Sequence, residues 1–170
     1  MGRAITIQPE STKGEIMISF VVIVYDMPRQ AENTIRSLLP GYQLDASSED
    51  YEVILVENSS ANNLPRNFLE SLPANFHYHL REERQPTPIH AINFGIAQAK
   101  GAHVCVMIDG ARLLSPGVIR NVIRGHSLSK HAIVTVPGYH LGDDLQQKAV
   151  GGGYGVEQEQ VLMHSIRWPE

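Results

Sequence analysis

The chain is poor in cysteine, poor in aromatic residues and free of long apolar runs. Its 170 residues include one cysteine, Cys105. A single thiol excludes an internal disulfide framework and a cysteine-based zinc cage. No apolar run approaches the roughly 20 residues that a membrane-spanning helix needs. The first residues, MGRAITIQPESTKGE, lack the apolar middle of a secretory signal. A large excess of charge of one sign is missing too. With 14 basic and 18 acidic side chains the formal net charge is −4, which argues against a strongly basic nucleic-acid binder. These absences lead to the expectation of a soluble cytoplasmic protein with no nucleic-acid partner.

What is present suits a folded domain. Hydrophobic residues make up 42% and charged residues 19%, unlike a disordered chain. The length suits one domain with a real core. Residues 1–15 are polar and without period, and read as a leader. Ile16 to Val24 is a continuous β-branched run, as in a strand covered on both faces. Pro28 suits a helix start, and Ala31 to Leu39 sets Ile35, Leu38 and Leu39 on one stripe before Pro40-Gly41. Tyr51 to Val56 reads as a second buried strand, and residues 57–63 as a loop. A short helix is predicted from Pro65 to Leu72, and a more exposed strand from Phe76 to Leu80. Then come a helix at 89–100 stopped by Gly101, a strand at 103–108, a helix at 117–127 and a fifth strand at 131–136. Residues 138–155 are glycine-rich and read as flexible. Val156 to Ile166 suits a short helix. The expected organisation is a leader (1–15), an α/β domain (16–137) and a tail (138–170).

Strands alternating with helices imply an α/β fold with a mostly parallel sheet flanked by helices. Such sheets bind ligands beyond the carboxyl ends of their strands. Three polar segments fall there: Tyr25-Asp26, Glu57-Asn58-Ser59 and Asp109-Gly110. Each carries a carboxylate, although Asp and Asn also cap helices and make turns. His77 and His79 alternate on one strand face, but no third ligand has metal-site spacing. Cys105 lies within an apolar strand and reads as a buried, inert thiol. No glycine occurs in Tyr25–Gln30, which argues against a P-loop or dinucleotide fingerprint.

From about Ile18 to Ile123 the order of motifs resembles the family 2 glycosyltransferases, which have the GT-A fold, a three-layer, Rossmann-like α/β architecture. The pieces are the strand Ser19–Val24 leading to Tyr25-Asp26, and the helix end Ser37-Leu38-Leu39. Val56-Glu57-Asn58-Ser59-Ser60, Ala91-Ile92-Asn93-Phe94-Gly95 through Gly101, and Val106-Met107-Ile108-Asp109 with Pro116 downstream complete the set. The resemblance implies a nucleotide-sugar donor, a UDP-sugar first among them, and transfer of the sugar to an acceptor hydroxyl with inversion. It implies that Tyr25 stacks on or lines the base, that Asp26 belongs to the same nucleotide site, that Glu57 contacts the base, that Asn58 shapes the loop and that Asn93 lines the same pocket. It implies a divalent cation, Mn²⁺ or Mg²⁺, at an Asp-x-Asp pattern.

Here that pattern departs from the family. Asp109 is the first acid, but the second position is Ala111 and the next is Arg112. Three outcomes stay open. Asp109 binds ribose or metal with help from elsewhere, Arg112 replaces the metal on the diphosphate, or the domain only binds its ligand. An Asp109–Arg112 ion pair is a fourth. The acids Asp143, Asp144, Glu157 and Glu159 lie beyond this point, and none matches the family's catalytic base.

Overall fold

The computed structural model describes residues 18–83, 87–108, 111–129, 131–143 and 145–168. The expected leader therefore lies outside the described residues. The chain divides into two compact units, Met1–Val134 and Thr135–Glu170.

The first unit is built on four strands: β1 (Ile18–Val24), β2 (Tyr51–Asn58), β3 (Phe76–Arg81) and β4 (His103–Met107). Their order is β3-β2-β1-β4, and every neighbouring pair is parallel. In register, Ile18 faces Tyr51 and His103, and Val53 faces Phe76. The continuous apolar runs thus become the two central strands, buried along their whole length. β3 and β4 form the edges and are only partly buried.

Side chains of β1 and β2 alternate between two cores. Phe20, Val22, Val24, Val53 and Leu55 pack with Ile35 and Leu38 of the segment around helix α1 (Pro28–Ser37), with Phe68 of α2 (Arg66–Glu70), and with Ile119 and Val122 of α4 (Val118–Ser127). Val21, Ile23, Ile54 and Val56 face the other way, toward Ala91 of α3 (Ile89–Gln98). Each fully buried side chain of this kind contributes about 1.5–3 kcal/mol. The result is a three-layer α/β unit with a parallel sheet, as the alternation of elements predicts.

Two glycines permit close packing at α3. A Cβ on Gly95 would stand 2.3 Å from Val21 Cγ1, so the helix lies tight on the sheet there. A Cβ on Gly101 would stand 2.7 Å from the Ser19 backbone nitrogen. At that amino end of the sheet the Ser19 hydroxyl donates to Glu52 Oε1 (2.6 Å), and the Lys100 N–H donates to the same oxygen (2.7 Å). Gly101 N–H donates to Ser19 Oγ (2.8 Å). A buried carboxylate thus ties the return from α3 to the first two strands.

Three local expectations change. The first helix starts at Pro28, as that proline's fitness for the first turn suggests, and ends at Ser37, two residues short of the expected Leu39. The predicted strand at 131–136 is absent among the described residues. Ile133 is 91% exposed and Val136 54%, and no strand among the described residues offers the run a ladder. Cys105 is only partly buried, since it sits on an edge strand, although burial still pushes its thiol pKa up.

The second unit holds two helices, α5 (Gln146–Gly151) and α6 (Val156–Ser165). The glycine-rich stretch is thus partly helical. Glu157 and Glu159 fall in the first turn of α6, where the helix dipole favours acids. Inside this unit the His140 and Tyr154 rings pack at 4.8 Å.

Candidate functional site

In the order β3-β2-β1-β4 the carboxyl ends of β2, β1 and β4 are adjacent. The segments singled out in the sequence leave the sheet at that end. Tyr25 follows β1 and is 59% exposed, so its ring is available to a flat ligand. Asp26 is also exposed and takes a left-handed backbone, φ 52°, which Asp tolerates better than most residues. Its Oδ1 accepts from Asn62 Nδ2 at 2.9 Å. The corner after β1 is therefore tied to the loop after β2.

That loop is organised from beneath. Glu57 ends β2 on the α1 face and is fully buried. The Leu64 N–H donates to both its oxygens at 3.1 Å, and the Tyr78 hydroxyl donates to Oε2 at 2.6 Å. Burial, then the bond to Glu57 and its charge, push the Tyr78 pKa up, so the phenol stays a donor. Within the loop the Ser60 N–H donates to Asn63 Oδ1 (3.0 Å), and the Asn62 N–H donates to Ser60 Oγ (3.2 Å). Asn58 is 7% exposed, and its Oδ1 has no hydrogen-bond partner among the described residues.

The segment after β4 is bolted to the first helix by three polar side chains. Thr34 Oγ1 accepts from the Arg112 N–H (2.9 Å), and Ser37 Oγ accepts from the Leu114 N–H (3.1 Å). Gln43, 3% exposed, donates to the carbonyls of Ser37 (2.6 Å) and Ser115 (3.3 Å) and accepts from the Ile119 N–H (3.3 Å). Helix α4 has Gly117 at its N-cap and no side-chain cap of its own. Gln43 supplies one from elsewhere in the chain. The bolts fix the backbone of Arg112 beside α1, with its side chain exposed.

Asn93 is exposed on α3, whose first residues follow the polar segment after β3. At the end of β3, the Arg81 guanidinium lies 4.3 Å from the Phe94 ring centroid. Asp109 lies outside the described residues, and so does Asp144. The structure thus puts Tyr25, Asp26 and Asn58 at the carboxyl end of the sheet and the Glu57 carboxylate beneath its loop, and it ties the Arg112 backbone to Thr34 in the last turn of α1. Thr34, Gln43, Asn62, Tyr78 and Arg81 emerge only here, and so does the hydrogen bond of Ser37, which the sequence offers only as a motif residue. Their sequence signal is faint: isolated polar residues within otherwise periodic elements or loops.

The sequence matches the family model for glycosyl transferase family 2 over residues 19–164. The chain belongs to glycosyl transferase family 2. The family 2 chain also resembles the solved structure of Staphylococcus aureus TarS, at 18% identity and a TM-score of 0.57, over 66% of this chain and 20% of that one. TarS 1–349 in complex with UDP matches at 18% identity and TM-score 0.57, and its complex with UDP-GlcNAc at 19% and 0.57. Both cover 66% of this chain, and 32% and 31% of theirs. At such identity the likeness shows the fold. This chain spans a third or less of these solved relatives. No curated protein matches it.

A divalent cation of the family kind would want a second carboxylate in the strand-end motif, and Ala111 offers no ligand there. Among the described residues no three His, Cys, Asp or Glu side chains are grouped to hold a metal ion. His77 and His79 do share a face. They line a cleft of about 150 Å³ with Ile54, Gln98 and Lys100. His77 Nε2 lies 3.4 Å from Glu52 Oε2, and burial, then His77, hold the His79 pKa below its ordinary value. Among the described residues no helix is long and apolar enough to cross a membrane.

Proposed function

We propose that the chain is the donor-binding part of an inverting family 2 glycosyltransferase. Its donor is a nucleoside diphosphate sugar, with UDP the first candidate, held across the carboxyl ends of β1, β2 and β4. The observation that carries this reading is the set of bolts from Thr34, Ser37 and Gln43. They hold the segment that follows β4 against the last turn of α1, and that segment carries Arg112 next to Ala111, where the family motif would carry its second acid. Tyr25 offers the ring on which a base can stack. Arg112 offers a forked, permanently charged partner for phosphate oxygens. TarS, which shares the fold, has been solved with UDP and with UDP-GlcNAc, and this favours a UDP-sugar.

In the reaction proposed, an acceptor oxygen bonds to the anomeric carbon as the bond from that carbon to the diphosphate breaks. The acceptor proton passes to a base, and Arg112 meets the charge that grows on the leaving diphosphate. No step is routed through a cation, because position 111 supplies no ligand for one. A second reading, nucleotide binding without turnover, is favoured by the same Ala111. A cytoplasmic setting suits either reading, since the lone Cys105 needs no oxidising compartment.

Titration of the isotope-labelled chain with UDP, followed by amide chemical shifts, tests the location. The reading predicts shifts at Tyr25, Asp26, Asn62 and Arg112 and none at Lys100 or Gly101. Shifts confined to the amino end of the sheet, or none at all, would contradict it.

A further inference from the structure

The acid at the end of β2 is sealed from solvent. Glu57 has no exposed surface, and the Leu64 N–H and the Tyr78 hydroxyl make three contacts to its two oxygens. A carboxylate has about four acceptor positions, so most of its capacity is already used. We propose that Glu57 is a positioning residue, which clamps the 59–63 loop through Leu64 and Tyr78 and leaves the nucleotide to meet the loop rather than the carboxylate. This role rests on the donor-binding reading above.

The connections run in one direction. Tyr78 on β3 holds Glu57 on β2, and Glu57 holds Leu64, itself 5% exposed, at the far end of the loop. Between them Asn62 reaches Asp26 at the corner after β1. A buried anion with charge-assisted hydrogen bonds therefore sets the position of a polar rim that joins two strand ends. A carboxylate that touched the base would discriminate among bases by their donor patterns. A carboxylate that positions the rim affects all nucleotides alike.

The test is calorimetric titration of the full chain and its Glu57→Gln and Tyr78→Phe variants with UDP, CDP and GDP. Amide hydrogen exchange at Leu64 is measured alongside. Both variants should weaken all three nucleotides by a similar factor, roughly tenfold, the effect of one charge-assisted bond. Leu64 exchange should speed up in both. Two results would overturn the proposal. One is a Glu57→Gln chain whose preference among the three nucleotides changes while Tyr78→Phe binds as wild type. The other is a pair of variants that melt earlier yet bind unchanged when folded, which is a purely structural clamp. A wild-type chain that binds none of the three would instead remove the donor reading, and this role with it.

Discussion

Replacing Gln43 by Ala tests how the segment carrying Arg112 is held. Gln43 is 3% exposed and touches three backbone groups on two elements. The variant leaves the Ile119 N–H without a partner at the buried start of α4. It also strips a donor from the Ser37 carbonyl, whose bond is the shortest of the three at 2.6 Å. An orphaned buried group costs about 1–3 kcal/mol, and the two longer bonds at 3.3 Å belong at the low end of that range. Loss of the buried side-chain methylene adds about 0.8 kcal/mol. The sum is about 3 kcal/mol, a large share of the roughly 5–15 kcal/mol of a typical domain. Urea unfolding followed by circular dichroism reads it as a lower midpoint with an unchanged slope. Gln43→Glu should fare no better, because it keeps the acceptor for Ile119 but turns a charge toward two carbonyls. A Gln43→Ala chain within about 0.5 kcal/mol of wild type would refute the reasoning, since that is the range of an unimportant surface change.

Gly95→Ala should lower the urea midpoint. Its Cβ meets Val21 Cγ1 at 2.3 Å, and overpacking costs about 1–3 kcal/mol, of which helix propensity returns up to about 1 kcal/mol. An unchanged midpoint would mean that α3 slides without cost. Arg112→Ala should weaken UDP binding by about tenfold or more, while UMP, with one phosphate fewer, loses less. Equal losses for UDP and UMP would remove Arg112 from the diphosphate. Burial and then His77 lower the His79 pKa, and burial and then His103 lower that of His126. Below their ordinary value of 6.5 the unfolded chain therefore binds more protons than the folded one. Their contribution is complete above that value and declines as acid is added below it, down to the folded-state pKa values. His79→Gln and His126→Gln should each flatten the fall of Tm between about pH 7 and pH 5, and an unaltered fall in both would contradict the assignment.

The central strands were legible because a run such as Ile18–Val24 carries its own signal, and both faces of such a run must be covered. Helix α4 was legible as the helix expected at 117–127. The predicted strand at 131–136 has a strand's composition but, among the described residues, no strand to pair with, and composition alone cannot report a missing ladder. The bolts were illegible for a related reason. Thr34 and Gln43 look like ordinary polar positions, Ser37 is visible only as a motif residue, and their partners lie 78, 76 and 77 residues away. Glu57 stood out as a strand-end acid, but its burial depends on Tyr78, 21 residues on, and sequence spacing does not place that hydroxyl. Likewise Glu52 sits inside an apolar run, and only its distant partners, Ser19 33 residues earlier and the Lys100 N–H 48 residues later, explain how a carboxylate stays there.

The most direct measurement is calorimetric titration of the purified chain with UDP, GDP and dTDP, each with and without Mn²⁺. The account predicts that UDP binds, that Mn²⁺ changes its affinity little, and that Arg112→Ala abolishes most of that binding. Binding that appears only with Mn²⁺ and ignores Arg112 would contradict the account at its centre, and so would no binding of any nucleotide.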